Sequence, residues 1–219
     1  MRIHLRIKTS EKPVPIFHQP LLAGTINKWL GNDNKEHGKI SLFSFSQLSD
    51  GKIKDNNLIF QDWTSLFISS YKTDCLKRII FNIKNDPSLF NDLTVNEIII
   101  EDTPDLSNRD FFLAASPILI KRKIENKTVH IPYNHLKAGD YLKETLLTKL
   151  KIAGIEDENF QIQFDNTYQN AKLKLIDYNG IGNKANWCPI IIKGSNKIKS
   201  FAWNVGLGNS TGIGFGAIK

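Results

Sequence analysis

Arg2-Ile-His-Leu-Arg-Ile-Lys8 alternates without a break. Ile3, Leu5 and Ile7 fall on one face of an extended chain, and Arg2, His4, Arg6 and Lys8 fall on the other. That is the period of a half-buried strand with a basic outer face. Working outward, Pro13 and Pro15 keep the next stretch extended. Leu21, Leu22, Ile26, Trp29 and Leu30 then recur at helical spacing, and Gly31 supplies a stop. A polar loop follows over 32–38. Residues 40–48 alternate again as a strand, and Asp50-Gly51 marks a turn. Leu58 to Phe60 and Ser65 to Tyr71 read as further strands. Cys75, Leu76, Ile79, Ile80 and Ile83 define a second helix over 74–84, and 94–101 reads as a closing strand. The order β-α-β-β-α-β is the ferredoxin-like pattern.

Beyond a boundary near Asp105 to Asn108 a second unit begins. Strands are expected over 115–123, 128–131, 160–164, 171–178, 187–193 and 199–205. Leu142, Leu146, Leu147, Leu150 and Ile152 predict one helix over 141–153. Residues 183–186 and 195–199 read as polar loops open to a ligand. The expected fold is α+β: two tandem ferredoxin-like (RRM-like) domains with antiparallel sheets, 1–107 and 108–219, the second a degenerate copy.

The chain has 219 residues, 41% of them hydrophobic and 23% charged, as a globular protein with a sizeable core requires. Lys and Arg number 29 against 22 Asp and Glu, a formal net charge of +7. That excess bears on partners rather than on fold, and it points first to nucleic acid. No apolar run approaches the ~20 residues of a membrane span. The N-terminus lacks the apolar core of a signal peptide, so a cytoplasmic location without membrane association is expected. Cys75 and Cys188 make no metal-type cluster, and both read as reduced, small packing residues.

Five of the chain's 14 glycines lie in Gly206-Leu-Gly-Asn-Ser-Thr-Gly-Ile-Gly-Phe-Gly216. No Lys-Ser/Thr follows as in a Walker loop, and no helix follows as in a dinucleotide fingerprint. Two readings stand side by side. Backbone N–H groups of Gly206, Gly208, Asn209, Ser210, Gly212, Gly214 and Gly216 can line an anion site. Equally, the glycines can serve a tight turn at a sheet's end.

Three segments together resemble a known family. The glycine run with its closing Gly-Phe-Gly, Phe43-Ser-Phe-Ser-Gln-Leu48, and Ser116-Pro-Ile-Leu-Ile120 are similar to the CRISPR-associated endoribonucleases that process precursor CRISPR RNA, the Cas-six family. The order and spacing cover nearly the whole chain. In that family a loop carrying a His precedes a strand like 43–48, and here Glu36-His37-Gly38-Lys39 stands there. The resemblance implies metal-independent cleavage within repeat RNA without a cofactor. The implied partners are precursor and mature CRISPR RNA and an effector complex, the protein acting as monomer or homodimer. Where many members carry a Tyr in the first helix, this chain has Asn27.

RNA supplies its own nucleophile, the 2′-hydroxyl. Cleavage then needs a base, an acid and a cation to steady the phosphate, roles that suit His and Lys near neutral pH. His37, in a loop between helix and strand, is the first candidate, with Lys39 as phosphate stabiliser. His18, just before the first helix, is a second active-site candidate or a packing residue. For RNA binding the candidates are Lys121-Arg122-Lys123 and the row holding Arg2 and Arg6. Trp187 and Phe215 are candidates for stacking, whereas Trp203 reads as core. The rival expectation is a non-catalytic RNA-binding subunit of a CRISPR effector complex, which would keep the glycine run but not depend on His37.

Overall fold

A computed structural model describes residues 1–31 and 40–219. The first half begins with β1 (Arg2–Lys8), a short β2 (Val14–Pro15) and α1 (Gln19–Leu30). Next come β3 (Phe43–Phe45), β4 (Lys52–Lys54), β5 (Asn57–Ile59) and β6 (Trp63–Ser70). Then α2 (Thr73–Asn85) and β7 (Thr94–Glu101) close the unit. Four strands form one antiparallel sheet in the order β3-β6-β1-β7, which is the ferredoxin-like order. The apolar half of the period-2 reading of β1 is realised, because Ile3, Leu5 and Ile7 are wholly buried. They meet Ile26 and Trp29 of α1 and Ile79 and Ile83 of α2 in one core. Each such side chain contributes roughly 1.5–3 kcal/mol of burial free energy as an upper bound. Pro20 opens α1, where its missing N–H costs nothing, and Gly31 closes it at φ +82°. The strand expected over 40–48 is confined to Phe43–Phe45.

The second half has β8 (Phe111–Phe112), β9 (Lys121–Ile124), β10 (Lys127–His130) and α3 (Ala138–Ile152). It continues with β11 (Gln161–Phe164), β12 (Lys172–Tyr178), β13 (Ile181–Trp187), β14 (Ile190–Lys193) and α4 (Asn196–Val205). The sheet runs β11-β14-β8. The last residues add a fourth position beside β8, through Leu113 N–H to Lys219 O (2.8 Å), Lys219 N–H to Leu113 O (2.9 Å) and Ala115 N–H to Ala217 O (2.8 Å). With α3 and α4 as the two crossovers, this repeats the ferredoxin-like order with a first strand of two residues. The β9-β10 and β12-β13 hairpins are insertions into it. The two domains are thus tandem ferredoxin-like units, the second degenerate.

Three expectations are corrected here. Residues 199–205 are not a strand but most of α4. Ile198, Phe201, Ala202 and Val205 recur at 3–4 spacing into the second core, and the Ser195 hydroxyl caps the helix by accepting from Ile198 N–H. Residues 183–186 are not a loop but part of β13, with Asn183 and Ala185 turned inward. The stretch 115–123 forms a strand only at its end. Its earlier residues are held by single bridges, Ile118 to Asn186 and Leu119 to Asn209.

Arg2 joins the two halves. Its guanidinium lies 3.7 Å from the Phe67 ring centre and 3.4 Å from that of Trp203. It donates to Ser69 Oγ (2.7 Å), Ile218 O (2.8 Å) and Trp203 O (3.2 Å). Arg2 was expected in a phosphate-facing row, and it does not belong there: the second domain covers it, leaving it 3% exposed. No helix among the described residues is long and apolar enough to cross a membrane.

Candidate nucleic-acid interface

The glycine run leaves α4 at Gly206 and folds back on itself. Leu207 N–H donates to Gly216 O (2.8 Å), Gly216 N–H to Pro117 O (2.9 Å) and Asn209 N–H to Leu119 O (2.7 Å). A Cβ on Gly216, at φ +73°, would strike the Leu207 carbonyl oxygen, and one on Gly212 would strike Ser41 Oγ. Close main-chain approach therefore dictates glycine at Gly216, whereas at Gly212 the neighbour is a side-chain hydroxyl. The run also packs on β3, since a Cβ on Gly206 would sit 2.9 Å from Ser44 Cβ and one on Gly214 2.8 Å from Phe45 Cε2. The glycine run thus touches both of the other segments that carry the family resemblance. Gly206, Gly208, Gly214 and Gly216 are buried, whereas Asn209, Ser210 and Gly212 are half-buried and reach the surface. Asn209 Oδ1 is already engaged by Lys121 N–H at 2.8 Å.

The open side of the turn lines a pocket of about 350 Å³ with Ile40 and Ser41 before β3 and with Thr145, Thr148 and Lys149 of α3. Lys149 is 3% exposed. Its ammonium donates to Val205 O (3.0 Å), Gly206 O (3.1 Å) and Thr211 Oγ1 (3.2 Å). Burial pulls its pKa down to about 7. Sequence reading passed over this residue, although Leu142, Leu146, Lys149 and Leu150 share one helical face and a lysine there breaks an apolar stripe.

The expected catalytic residues His37 and Lys39 lie outside the described residues. His18 is described, and it is a core group. It is 5% exposed, its Nδ1–H donates to Pro15 O (3.2 Å), and its ring is 6.3 Å from that of Phe90. Burial lowers its pKa, which favours the neutral imidazole. Of the two roles expected for it, active-site group or packing residue, these contacts support packing.

Charge is distributed unevenly over the other candidates. Arg6 is half exposed, lies over Trp63 at 4.3 Å and faces Glu97 at 3.8 Å. His4 Nε2 is 2.7 Å from Glu101 Oε2. This row is thus partly neutralised. Arg122 turns inward to Glu144 (2.9 Å) and the Tyr141 ring (4.4 Å), and Lys123 is exposed. Lys121 instead pairs across the hairpin with His130, and Lys184 N–H of the second hairpin donates to His130 Nδ1 (3.3 Å). The His130 pKa is lowered, by burial first and then by the Lys121 and Lys184 charges. Two inserted hairpins therefore bring positive charge together beside the glycine run. Lys174 lies 3.9 Å over the half-buried Trp187 ring, whereas Trp203 and Phe215 are buried and unavailable for stacking on bases. Among the described residues no group of three His, Cys, Asp or Glu is placed to hold a metal ion.

Comparison with known proteins bears on this arrangement. Residues 101–219, more than half of the chain, match the family model "CRISPR associated protein Cas6, C-terminal". A solved structure described as "CRISPR associated protein Cas6" covers all of this chain and 98% of its own at 23% identity and a TM-score of 0.84. That of a Cas6-related gene from Pyrococcus furiosus covers 100% and 97% at 22% identity and a TM-score of 0.86. One described as an RAMP protein binding different RNA substrates covers 100% and 98% at 22% identity and a TM-score of 0.83. These likenesses are of fold. Comparison with curated protein sequences finds no relative.

Proposed function

Because the chain belongs to the Cas6 family, we propose that it is an endoribonuclease that cuts precursor CRISPR RNA within the repeat. In this reading residues 1–107 carry the reactive loop and 108–219 carry the glycine run and the basic hairpins. The observation that carries the reading is the pocket that joins them. Ile40 and Ser41 line it opposite Gly208–Thr211, and His37 lies only three residues before Ile40.

The chemistry is internal transesterification. The ribose 2′-oxygen attacks the adjacent phosphorus as its proton passes to a base. The P–O5′ bond breaks, and the 5′-oxygen takes a proton from an acid. The products are a 2′,3′-cyclic phosphate and a 5′-hydroxyl. His37 acts as general acid or base, and Lys39 offsets the charge that builds on the phosphate. No step calls for a metal ion.

The test is cleavage of labelled repeat RNA in excess EDTA by the unmodified protein and by His37→Ala, with a second substrate bearing a 2′-deoxy substitution at the mapped site. Cleavage that survives EDTA and is lost on either change is the expected result. Tight repeat binding with no cleavage would assign the protein instead to non-catalytic RNA-binding subunits, and cleavage that persists in His37→Ala would displace His37.

A further inference from the structure

We propose that Lys149 is a positioning residue for RNA binding: its buried ammonium, bonded at once to the end of α4 and to Thr211, fixes the shape in which the glycine turn meets a phosphate backbone. This rests on the RNA reading above. A lysine so deeply buried with no carboxylate beside it among the described residues is rare, because burying the charge is costly. The three oxygens that receive it explain where it is placed. Val205 O and Gly206 O are carbonyls at the C-terminal end of α4, where the helix leaves acceptors unused and its dipole is negative. Thr211 begins the single turn of 3₁₀ helix, Thr211–Ile213, inside the glycine run. One side chain from α3 therefore ties together the helix that enters the run and the part of the run that lines the pocket.

The arrangement responds to protonation. A neutral amine keeps two N–H groups for three acceptors, so one bond has to break or reverse. Carbonyl oxygens cannot donate, whereas the Thr211 hydroxyl can. Loss of the proton thus leaves the end of α4 held and changes the contact to the turn. Among the described residues, the polar groups that share the pocket with Lys149 are Thr145 and Thr148 of α3, Ser41 before β3, and Asn209, Ser210 and Thr211 of the turn. None of these carries charge near neutral pH, and burial is the cause of the depressed lysine value.

The experiment has two arms over pH 5.5–8.5. Without RNA, the backbone amide resonances of Gly208, Ser210, Thr211 and Gly212 in the ¹⁵N-labelled protein are expected to move together with a midpoint near 7, a transition absent from Lys149→Met. With repeat RNA, the affinity of the unmodified protein is expected to fall roughly tenfold across that midpoint, as loss of a charge-assisted contact implies. Lys149→Met should stay flat at the weaker value. Turn amides that do not move overturn the proposal whether or not RNA binds, and so does RNA affinity that is flat in the unmodified protein. Absence of RNA binding at every pH overturns the RNA reading and the role in binding with it, and is told apart by turn amides that still move. Should Lys149→Met fail to fold, the ¹³Cε resonance of Lys149 in the unmodified protein decides. Its midpoint must rise when RNA is bound, because linkage is reciprocal, and an unchanged midpoint rejects the proposal.

Discussion

At the scale of single residues, backbone geometry sorts the glycines. Gly216 and Gly154 share positive φ, +73° and +70°, but an added Cβ on Gly216 meets the Leu207 carbonyl whereas one on Gly154 meets nothing within 4 Å. Gly154→Ala is expected to cost only the left-handed backbone penalty, about 1 kcal/mol. Gly216→Ala must also force the run apart and should cost more than about 2 kcal/mol. Urea unfolding of the two variants reads the difference directly. Lys149 carries a second residue-scale prediction. Its folded value near 7 lies below the 10.5 of an ordinary lysine. Between those limits the unfolded chain holds a proton that the folded chain does not, so folding gains stability as pH rises. Unfolding midpoints of the unmodified protein and Lys149→Met should therefore keep a constant offset below pH 7. Above it they should shift in favour of the unmodified protein, by at most about 1.4 kcal/mol per pH unit.

At the scale of elements, α4 depends on Ser195, which accepts from Ile198 N–H and donates to Asp157 Oδ2 at 2.9 Å. Ser195→Ala should cost about 1 kcal/mol, seen as a lowered unfolding midpoint with unchanged slope. The same helix shows why part of the fold escaped sequence reading. Phe201-Ala-Trp-Asn-Val205 is rich in aromatic and branched residues, and over five positions a strand and a buried helix look alike. The cap and the 3–4 spacing from Ile198 arbitrate only over a longer window. Once that segment is a helix, the second domain regains its second crossover. Its closing strand then falls on the final residues, which carry no strand signal and pair through main-chain bonds to Leu113 and Ala115. β1 was legible to its bounds because its apolar alternation sits over a sheet buried on one face, and β7 because Val95 and the run Ile98-Ile-Ile100 favour an extended chain. β13 was not, although Asn179-Gly180, both at positive φ, carries the dipeptide of a two-residue hairpin turn. Of the site, the glycine run and its two partner segments could be read from the chain. Arg2 and Lys149 could not, since their roles come from contacts with residues 201 and 56 positions away.

At the scale of the molecule, a net charge of +7 says that the surface is basic but not where. Acidic neighbours temper the β1 face, through Glu97 and Glu101, and Arg122, through Glu144. At His130 the two lysines of the inserted hairpins act on the imidazole together, so repulsion there is felt by the protein itself. A polyanion would relieve it. Lys121→Ala combined with Lys184→Ala is therefore expected to weaken repeat RNA binding and to lower the slope of log K against log salt by roughly 1.4–1.8, two phosphate contacts' worth. The loss should be nearly independent of RNA sequence, because contacts to phosphate carry no base identity. Two controls sharpen the reading. Without RNA, the double variant should raise the His130 pKa, followed by its imidazole proton resonances, because two like charges have been removed. Lys12, paired with Asp92 at 2.6 Å on the first domain, should leave the salt slope unchanged when replaced by alanine. A double variant whose His130 value rises while its salt slope stays that of the unmodified protein would show that the charge is assembled there but that RNA passes elsewhere.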